Sequence, residues 1–250
     1  MTDKSLSSLA RMLGVLDLFT EEAPVWSAEE VAMALSVSVP TGYRYVKLLG
    51  QAGLLQRAAE SQYSLGPRII ALDHLMRASD PVLQHAVPFM KNLVESTGFD
   101  CVISGLYGQQ VLDTHREYSA TPADLSYGRG RPRPLFLGGA PKVILSCFTP
   151  SALHKVFDQR QLEIAQAGLP AEWPAFRRYY SQIRKTGYYL SHGELETNLA
   201  ALAAPLQKTD GALLGALSVV TTVSRMAMMD VPQLATQVMR CAGDIAMRVP

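Results

Sequence analysis

Apolar positions recur with helical spacing and then with strand spacing along the first 75 residues. Leu6, Leu9, Leu13 and Leu16 fall three and four apart, which predicts a helix over about 5–20 with one apolar stripe. Ser27 and Glu30 form a capping box ahead of a short helix at 28–35. After a polar break, Ser38 caps a third helix, and Pro40 is tolerated in its first turn because that N–H has no helical partner. There Tyr45, Leu48, Leu49 and Ala52 share one face, with Thr41, Arg44, Lys47 and Gln51 opposite and Gly53 as the stop. Residues 54–57 and 62–65 read as two strands around a polar tip, closed by Gly66-Pro67.

Beyond this unit, 66–77 predicts a linking helix that ends at Asp80-Pro81. A long amphipathic helix follows, with Leu83, Val87, Met90 and Leu93 inward and Gly98 at its close. Strands are expected at 99–107 and 110–116 around Gly108-Gln109, and at 187–191, 199–206 and 213–221, the last two joined through Thr209-Asp210-Gly211. Helical patterns occupy 141–147, 174–185 and 231–247. Strands flanked by helices without strict alternation indicate an α+β domain on a mainly antiparallel sheet.

Composition narrows the class. With 48% hydrophobic residues and 23 basic against 22 acidic side chains in 250, the chain can build real cores and is neither a disordered tail nor a polycation. Its longest apolar run, near 213–223, is far short of the roughly 20 residues of a membrane span. Lys4, Arg11 and Asp17 interrupt the N-terminal apolar pattern, so no signal peptide is expected and the chain reads as cytoplasmic, with no membrane partner. Cys101, Cys147 and Cys241 form no C-x-x-C pair and read as buried small hydrophobes.

Helix, short helix, turn, helix and hairpin is the order of a winged helix-turn-helix, whose last helix enters the major groove while the hairpin touches the backbone. Residues 1–73 hold six basic and eight acidic side chains, yet 31–59 holds no acid and contains Arg44, Lys47 and Arg57. The positive potential is thus local, at the groove-facing helix and wing. The alternative is a solvated face on a small helical domain.

No nucleophile elbow, phosphate loop, dinucleotide fingerprint or paired-histidine motif occurs, so no catalytic residue, metal or cofactor is expected. His192-Gly193-Glu194 reads as a surface turn ahead of a metal or acid site. Arg129, Arg131 and Arg133 alternate in a Gly/Pro loop, open to three readings: an anion-binding row, a solvated loop or a subunit contact. Gly138-Gly139-Ala140-Pro141-Lys142 sets small residues before a helix, which leaves N–H groups accessible to a carboxylate; a tight turn that needs glycine sterically explains the same residues.

Taken in order, these pieces resemble the IclR family of bacterial transcription regulators over nearly the whole chain. The resemblance is carried by Leu35-Ser36-Val37-Ser38-Val39-Pro40-Thr41-Gly42-Tyr43-Arg44, by Gln62-Tyr63-Ser64-Leu65-Gly66-Pro67-Arg68, by Pro134-Leu135 then Lys142, by Gly187-Tyr188 then Glu194, and by Ala203-Ala204-Pro205 then Gly215-Ala216-Leu217-Ser218. It implies a winged helix-turn-helix with linker helix (1–77) and a GAF-like effector-binding domain (78–250), assembled as a homodimer or a dimer of dimers. The implied partners are double-stranded operator DNA, met by Ser38, Val39, Pro40, Thr41, Tyr43, Arg44, Lys47 and Arg57, and a small carboxylic acid effector. Carried over by position, the effector contacts fall on the backbone of Gly139 and Ala140 and on Ser191, Ala201, Ser218 and Val220. Ser191 stands where members often carry an acid, Ala201 where a cysteine often sits, and Pro141 where glycine precedes the lysine. These departures imply a ligand bulkier or more apolar than a two-carbon acid, such as an aromatic carboxylate. Dimerisation is expected through 5–20, although its leucine stripe would equally serve an internal core. The competing expectation is a metabolite-binding module or enzyme whose N-terminal domain only dimerises.

Overall fold

A computed structural model describes residues 7–250, and the chain forms two compact units that part between Asp80 and Pro81. In the first, the helix expected over 5–20 is broken. Helix α1 spans Ser8–Leu13, ends at Gly14, and is followed by a 3-10 turn at Leu16–Leu18; residues 5 and 6 lie outside the described residues. Only part of the leucine stripe meets this unit's core: Leu16 packs against it, but Leu9 and Leu13 are 70% and 56% exposed, while Val15 is fully buried. Gly14 is a weak helix former, and the turn it starts brings Val15 inward.

Strand β1 (Trp26–Ser27) leads into α2 (Ala28–Ala34), where the capping box forms as expected: Glu30 N–H donates to Ser27 Oγ at 3.2 Å and Ser27 N–H to Glu30 Oε2 at 2.7 Å. Helix α3 (Val39–Gln51) follows, then β2 (Leu55–Ala59) and β3 (Gln62–Leu65), in an antiparallel sheet of order β1-β3-β2. Ser38 stands at the start of α3, but its hydroxyl pairs with Thr41 Oγ1 at 2.9 Å instead of capping a backbone N–H. The buried face of α3 is Gly42, Tyr45, Val46 and Leu49, spaced three, four and seven residues from the first. Leu48, expected there, is exposed. Gly42 decides this rotation, since a Cβ on it would lie 2.5 Å from the Ala28 carbonyl oxygen and 2.8 Å from Ala32 Cβ, so α2 crosses α3 at that glycine. Helix α4 (Arg68–Ser79) closes the unit.

The second unit starts with α5 (Pro81–Thr97), β4 (Asp100–Tyr107), β5 (Gln110–Glu117) and β6 (Pro132–Arg133). Then come α6 (Gly139–Ser146), α7 (Pro150–Gln159), α8 (Gln161–Gln166) and α9 (Trp173–Thr186). Strands β7 (Tyr189–His192), β8 (Leu199–Gln207) and β9 (Leu213–Thr222), a short α10 (Val223–Met226) and α11 (Val231–Arg248) complete it. Six antiparallel strands run in the order β6-β5-β4-β9-β8-β7. The fold is α+β as expected, with β6, α7, α8 and α10 added.

Side chains alternate across this sheet. One face carries Cys101, Ile103, Leu202, Ala204, Leu217 and Val219, buried against Leu83, Ala86, Met90 and Leu93 of α5 and Leu234, Val238 and Ile245 of α11. The other face carries Ala203 and Ala216 beneath α6, whose eight residues are all buried, with α7 and α9 packed outside it. No described helix is long and apolar enough to cross a membrane.

Gly42→Ala should destabilise the first unit by about 1–3 kcal/mol, the usual cost of overpacking a close helix crossing. Urea unfolding followed by Trp26 fluorescence, with Trp173→Phe silencing the other tryptophan, measures it. A midpoint unchanged from the parent would mean that α2 and α3 are not held at this crossing.

Candidate DNA-reading and effector sites

The exposed face of α3 carries the residues expected to meet DNA. Val39, Pro40, Tyr43, Arg44 and Lys47 are exposed, as are Ser38 ahead of the helix and Arg57 on β2; Thr41 is half-buried. Arg44, Lys47 and Arg57 form no ion pair among the described residues. Tyr43 is less free, because its hydroxyl donates to Glu29 Oε1 at 2.5 Å and so ties α3 to α2.

In the second unit, strand register brings the expected effector residues onto the sheet face beneath α6. Ser191 pairs with Ala201, Ala201 with Val220, and Ser218 with both Ala203 and Val102, so Ser191, Ala201, Val220, Ser218 and Val102 share one side. Above them Gly138, at φ +84°, turns the chain into α6. A Cβ on Gly139 would lie 2.9 Å from Ala203 Cβ and 3.4 Å from the Ala201 carbonyl oxygen. The first N–H groups of a helix have no acceptor in its own ladder, and at α6 these belong to Gly139 and Ala140. Val102, Ala201 and Val220 form a separate apolar cluster, covered by Ala123 and Leu125.

The polar groups here differ sharply in how they are satisfied. Ser191 donates to the Ala201 carbonyl at 3.3 Å. Ser218 Oγ is buried and has no hydrogen-bond partner. Lys142, 5% exposed at its side chain, donates to Glu194 Oε2 at 2.6 Å and to Tyr189 Oη at 3.0 Å. Glu194 also accepts from Gly138 N–H at 2.8 Å and from the Tyr189 hydroxyl at 2.8 Å. Burial, then hydrogen bonds with Tyr179 and Glu194, push the Tyr189 hydroxyl far above its ordinary pKa and keep it protonated. The His192-Gly193-Glu194 turn is thus a structural clasp on α6, and no group of metal-ligating residues occurs among the described residues.

The arginine row needs correction. Arg133 is buried and meets Asp113 in a bidentate pair, Nε to Oδ1 and Nη2 to Oδ2, both 2.7 Å, with its guanidinium 3.9 Å from the Tyr127 ring centroid. Arg129 donates to the Thr114 carbonyl and Arg131 to the Ser126 carbonyl. These residues fasten the segment that follows β5, and Arg133 cannot serve a free anion while Asp113 neutralises it.

Two acids that motif reading passed over perform a similar task. Asp100, fully buried, accepts from Ser119 N–H and Ala123 N–H at 2.7 Å each and from Arg116 Nη2 at 2.6 Å. Glu196 accepts from the Ser126 N–H at 2.7 Å and its hydroxyl at 2.6 Å. Together they draw residues 119–126 over the face that carries Ala201 and Val220. Their one sequence signal is an acid in the first position of an apolar strand, Asp100.

Comparison with known proteins agrees with this architecture. The model for the IclR helix-turn-helix domain matches residues 8–59, and that for the bacterial transcriptional regulator IclR C-terminal domain matches 75–247. The chain belongs to the IclR family. It is 24% identical over 223 residues, 88% of each chain, to the HTH-type transcriptional regulator XynR of Escherichia coli. An IclR family regulator from Brucella abortus superposes with TM-score 0.80 at 18% identity, over 100% of this chain and 95% of that one. An IclR homolog from Microbacterium hydrocarbonoxydans, solved with 4-hydroxybenzoate, gives TM-score 0.76 at 20% identity over 97% and 99%. This IclR-family chain is therefore a transcription regulator, and both matching families are regulators, not enzymes.

In this regulator the Asp100 carboxyl is held below its ordinary pKa: burial opposes ionisation, but the Ser119 N–H, Arg116 and the Ala123 N–H outweigh it. Because the folded value lies below the unfolded one of about 3.9, its contribution is present above pH 4 and is lost as pH falls through the folded value. Asp100→Asn should cost about 3 kcal/mol at neutral pH, since Arg116 loses its counter-charge, and should shrink the loss of stability below pH 4. Urea unfolding at pH 7 and pH 3 tests both statements; parallel pH dependence in parent and variant would contradict them.

Proposed function

We propose that this IclR-family regulator binds double-stranded operator DNA as a homodimer or dimer of dimers in the cytoplasm. In this reading, a small carboxylic acid at the N-terminus of α6 modulates that binding. The observation that carries the effector reading is Ser218: a buried hydroxyl without a partner, on a floor of Val102, Ala201 and Val220 and below the N–H groups that open α6. A buried unsatisfied hydroxyl costs about 1–3 kcal/mol, so a ligand that accepts its hydrogen bond recovers that cost. Gly139 and Ala140 offer donors to a carboxylate, Ser191 has its donor engaged by Ala201, and the apolar remainder suits a ring. The Microbacterium homolog bound to 4-hydroxybenzoate supports an aromatic acid.

The DNA reading rests on the exposed, unpaired cations of α3 and β2. One small winged helix covers little DNA, and paired half-sites supply the missing area. Leu9 and Leu13 on α1, with Ile70, Leu75 and Met76 on α4, leave large apolar side chains exposed for a partner copy. Modulation is then linkage: the acid shifts operator affinity by no more than its differential affinity for two arrangements of the paired DNA-binding domains.

Arg44→Ala should weaken operator binding by roughly 1–3 kcal/mol, measured by gel shift on the DNA upstream of its own gene. Equal affinity in a folded variant would remove α3 as the reader. For the effector, calorimetry of the full chain with a panel of aromatic and aliphatic acids should find a ligand that Ser218→Ala binds about 1.5–3 kcal/mol more weakly, the range for a hydrogen bond to an ionised acceptor. Gly139→Val should abolish that binding by lifting the start of α6 off the strands, since even a Cβ there would lie 2.9 Å from Ala203 Cβ. Full binding by both variants would put the effector elsewhere.

A further inference from the structure

A second concavity lies at the C-terminal end of α6, the opposite end from Gly139. The β4–β5 hairpin contributes Leu106, Gly108 and Gln109; α6 and its exit contribute Leu145 and Phe148; and α7 contributes Ala152, Lys155, Val156 and Gln159. Leu135 and Arg160 complete a cavity of about 210 Å³. Its walls are mainly apolar, from Leu106, Leu135, Leu145, Phe148 and Val156, while the polar lining residues Gln109, Lys155 and Gln159 are exposed and Arg160 is half-buried. An apolar cavity of about 150 Å³ is enough to take up benzene, so this one accommodates a six-membered ring with one substituent.

The charges at the mouth choose the substituent. Arg160 is already engaged: Nη1 donates to Glu163 Oε1 at 2.7 Å and Nη2 to Gln109 Oε1 at 2.6 Å, which braces the hairpin tip against the end of α7. Lys155 is exposed and forms neither an ion pair nor a hydrogen bond among the described residues. With Arg160 neutralised by Glu163, the flexible ammonium of Lys155 at the edge of an apolar pocket matches an amphiphile with one flat apolar body and one anionic end. We propose that this pocket between the β4–β5 hairpin and α7 is a second ligand site, which takes a monocyclic aromatic carboxylic acid with its ring on Leu145 and Phe148 and its carboxylate on Lys155. The assignment is independent of the effector reading, since it shares no residue with the site around Ser218.

Benzoate and benzyl alcohol serve as probes, with calorimetry on the full chain at low ionic strength. Ala152 and Lys155 are exposed, so substitutions there leave the core packing intact, and unchanged thermal unfolding checks this for each variant. Ala152→Trp, which fills the pocket, should abolish a benzoate-binding event, and Lys155→Glu should weaken the same event at least about tenfold, a loss of roughly 1.4 kcal/mol. Lys155→Arg should retain it and Ser218→Ala should leave it unchanged, while benzyl alcohol should bind the parent at least about tenfold more weakly than benzoate. The proposal is overturned if every benzoate event survives both Ala152→Trp and Lys155→Glu, or if the one event present is lost in Ser218→Ala. It is equally overturned if benzyl alcohol binds as tightly as benzoate. A change in oligomeric mass by light scattering in Ala152→Trp, with benzoate binding intact, would show the surface to be a contact between copies.

Discussion

The second unit depends on how closely α6 lies on β8 and β9. A helix with eight buried residues can seat on a sheet only where side chains beneath it are small, and Ala203 and Ala216 supply that floor. At its first residue even a methyl group is too much, since a Cβ on Gly139 would come within 2.9 Å of Ala203 Cβ. The seating sets the heights at which everything else must sit. It places the start of α6, with Gly139 and Ala140, over Ala201 and Ala203, which pair with Val220 and Ser218. It also buries Lys142, which then requires Glu194 and Tyr189 as partners. A buried pair of this kind adds little net stability, because desolvation offsets much of the attraction, but breaking one side of it is costly. Its effect is geometric: the turn after β7 and the start of α6 cannot separate without leaving an uncompensated charge.

The rest of the sheet face is closed by a different device. Residues 119–126 contribute only Ala123 and Leu125 to the apolar cluster over Val102, Ala201 and Val220, too little buried area to hold a segment by hydrophobic burial alone. Ionic hydrogen bonds do that instead, through Asp100 to the backbone of residues 119 and 123 and through Glu196 to Ser126. A cover held by a few directed bonds over an apolar floor can be ordered at its anchors while the floor beneath stays free of large side chains. That is the arrangement a small-molecule pocket needs.

Much of this was legible in the chain. The capping box at Ser27 and Glu30, the stop at Gly53, the break at Asp80-Pro81 and the strand pairs around Gly108 and Gly211 follow from local chemistry and appear as expected. Errors arose where tertiary contacts override local pattern. Leu48 and Val46 are equally good candidates for a buried helix face, and only the crossing at Gly42 decides between them. Alternate arginines in a Gly/Pro loop are equally readable as an anion-binding row, a solvated loop or a subunit contact, and only the distant Asp113 shows that Arg133 is buried and neutralised. Helix α7 had a readable start, Thr149 before Pro150, with Leu153 and Phe157 four residues apart, yet too few apolar positions to stand out. At the proposed effector site, motif order pointed to Ser218 and Gly139, but no periodicity distinguishes Ser218, left unpaired, from Ser191, which bonds the adjacent strand.

Charge distribution explains how a chain of net charge +1 can address a polyanion. In the second unit the buried and half-buried cations are committed to the fold: Arg116 to Asp100, Arg133 to Asp113, Lys142 to Glu194, and Arg225 to the Gly98 carbonyl, while exposed Arg184 is likewise spent on the carbonyls of residues 146 and 148. In the first unit Arg68 alone of the α3-to-α4 cations is used this way, on the Ala52 carbonyl. Arg44, Lys47 and Arg57 remain on the surface with their charge unneutralised. Net charge sums over both groups and so hides the difference between them. A phosphate backbone responds only to the second group, because each cation that displaces a condensed counterion contributes to binding, and a cation already paired inside the protein displaces none. On the proposed DNA reading, the stretch without acids around α3 is the part of the composition that matters for DNA, and the balanced total reflects what the other unit needs in order to fold.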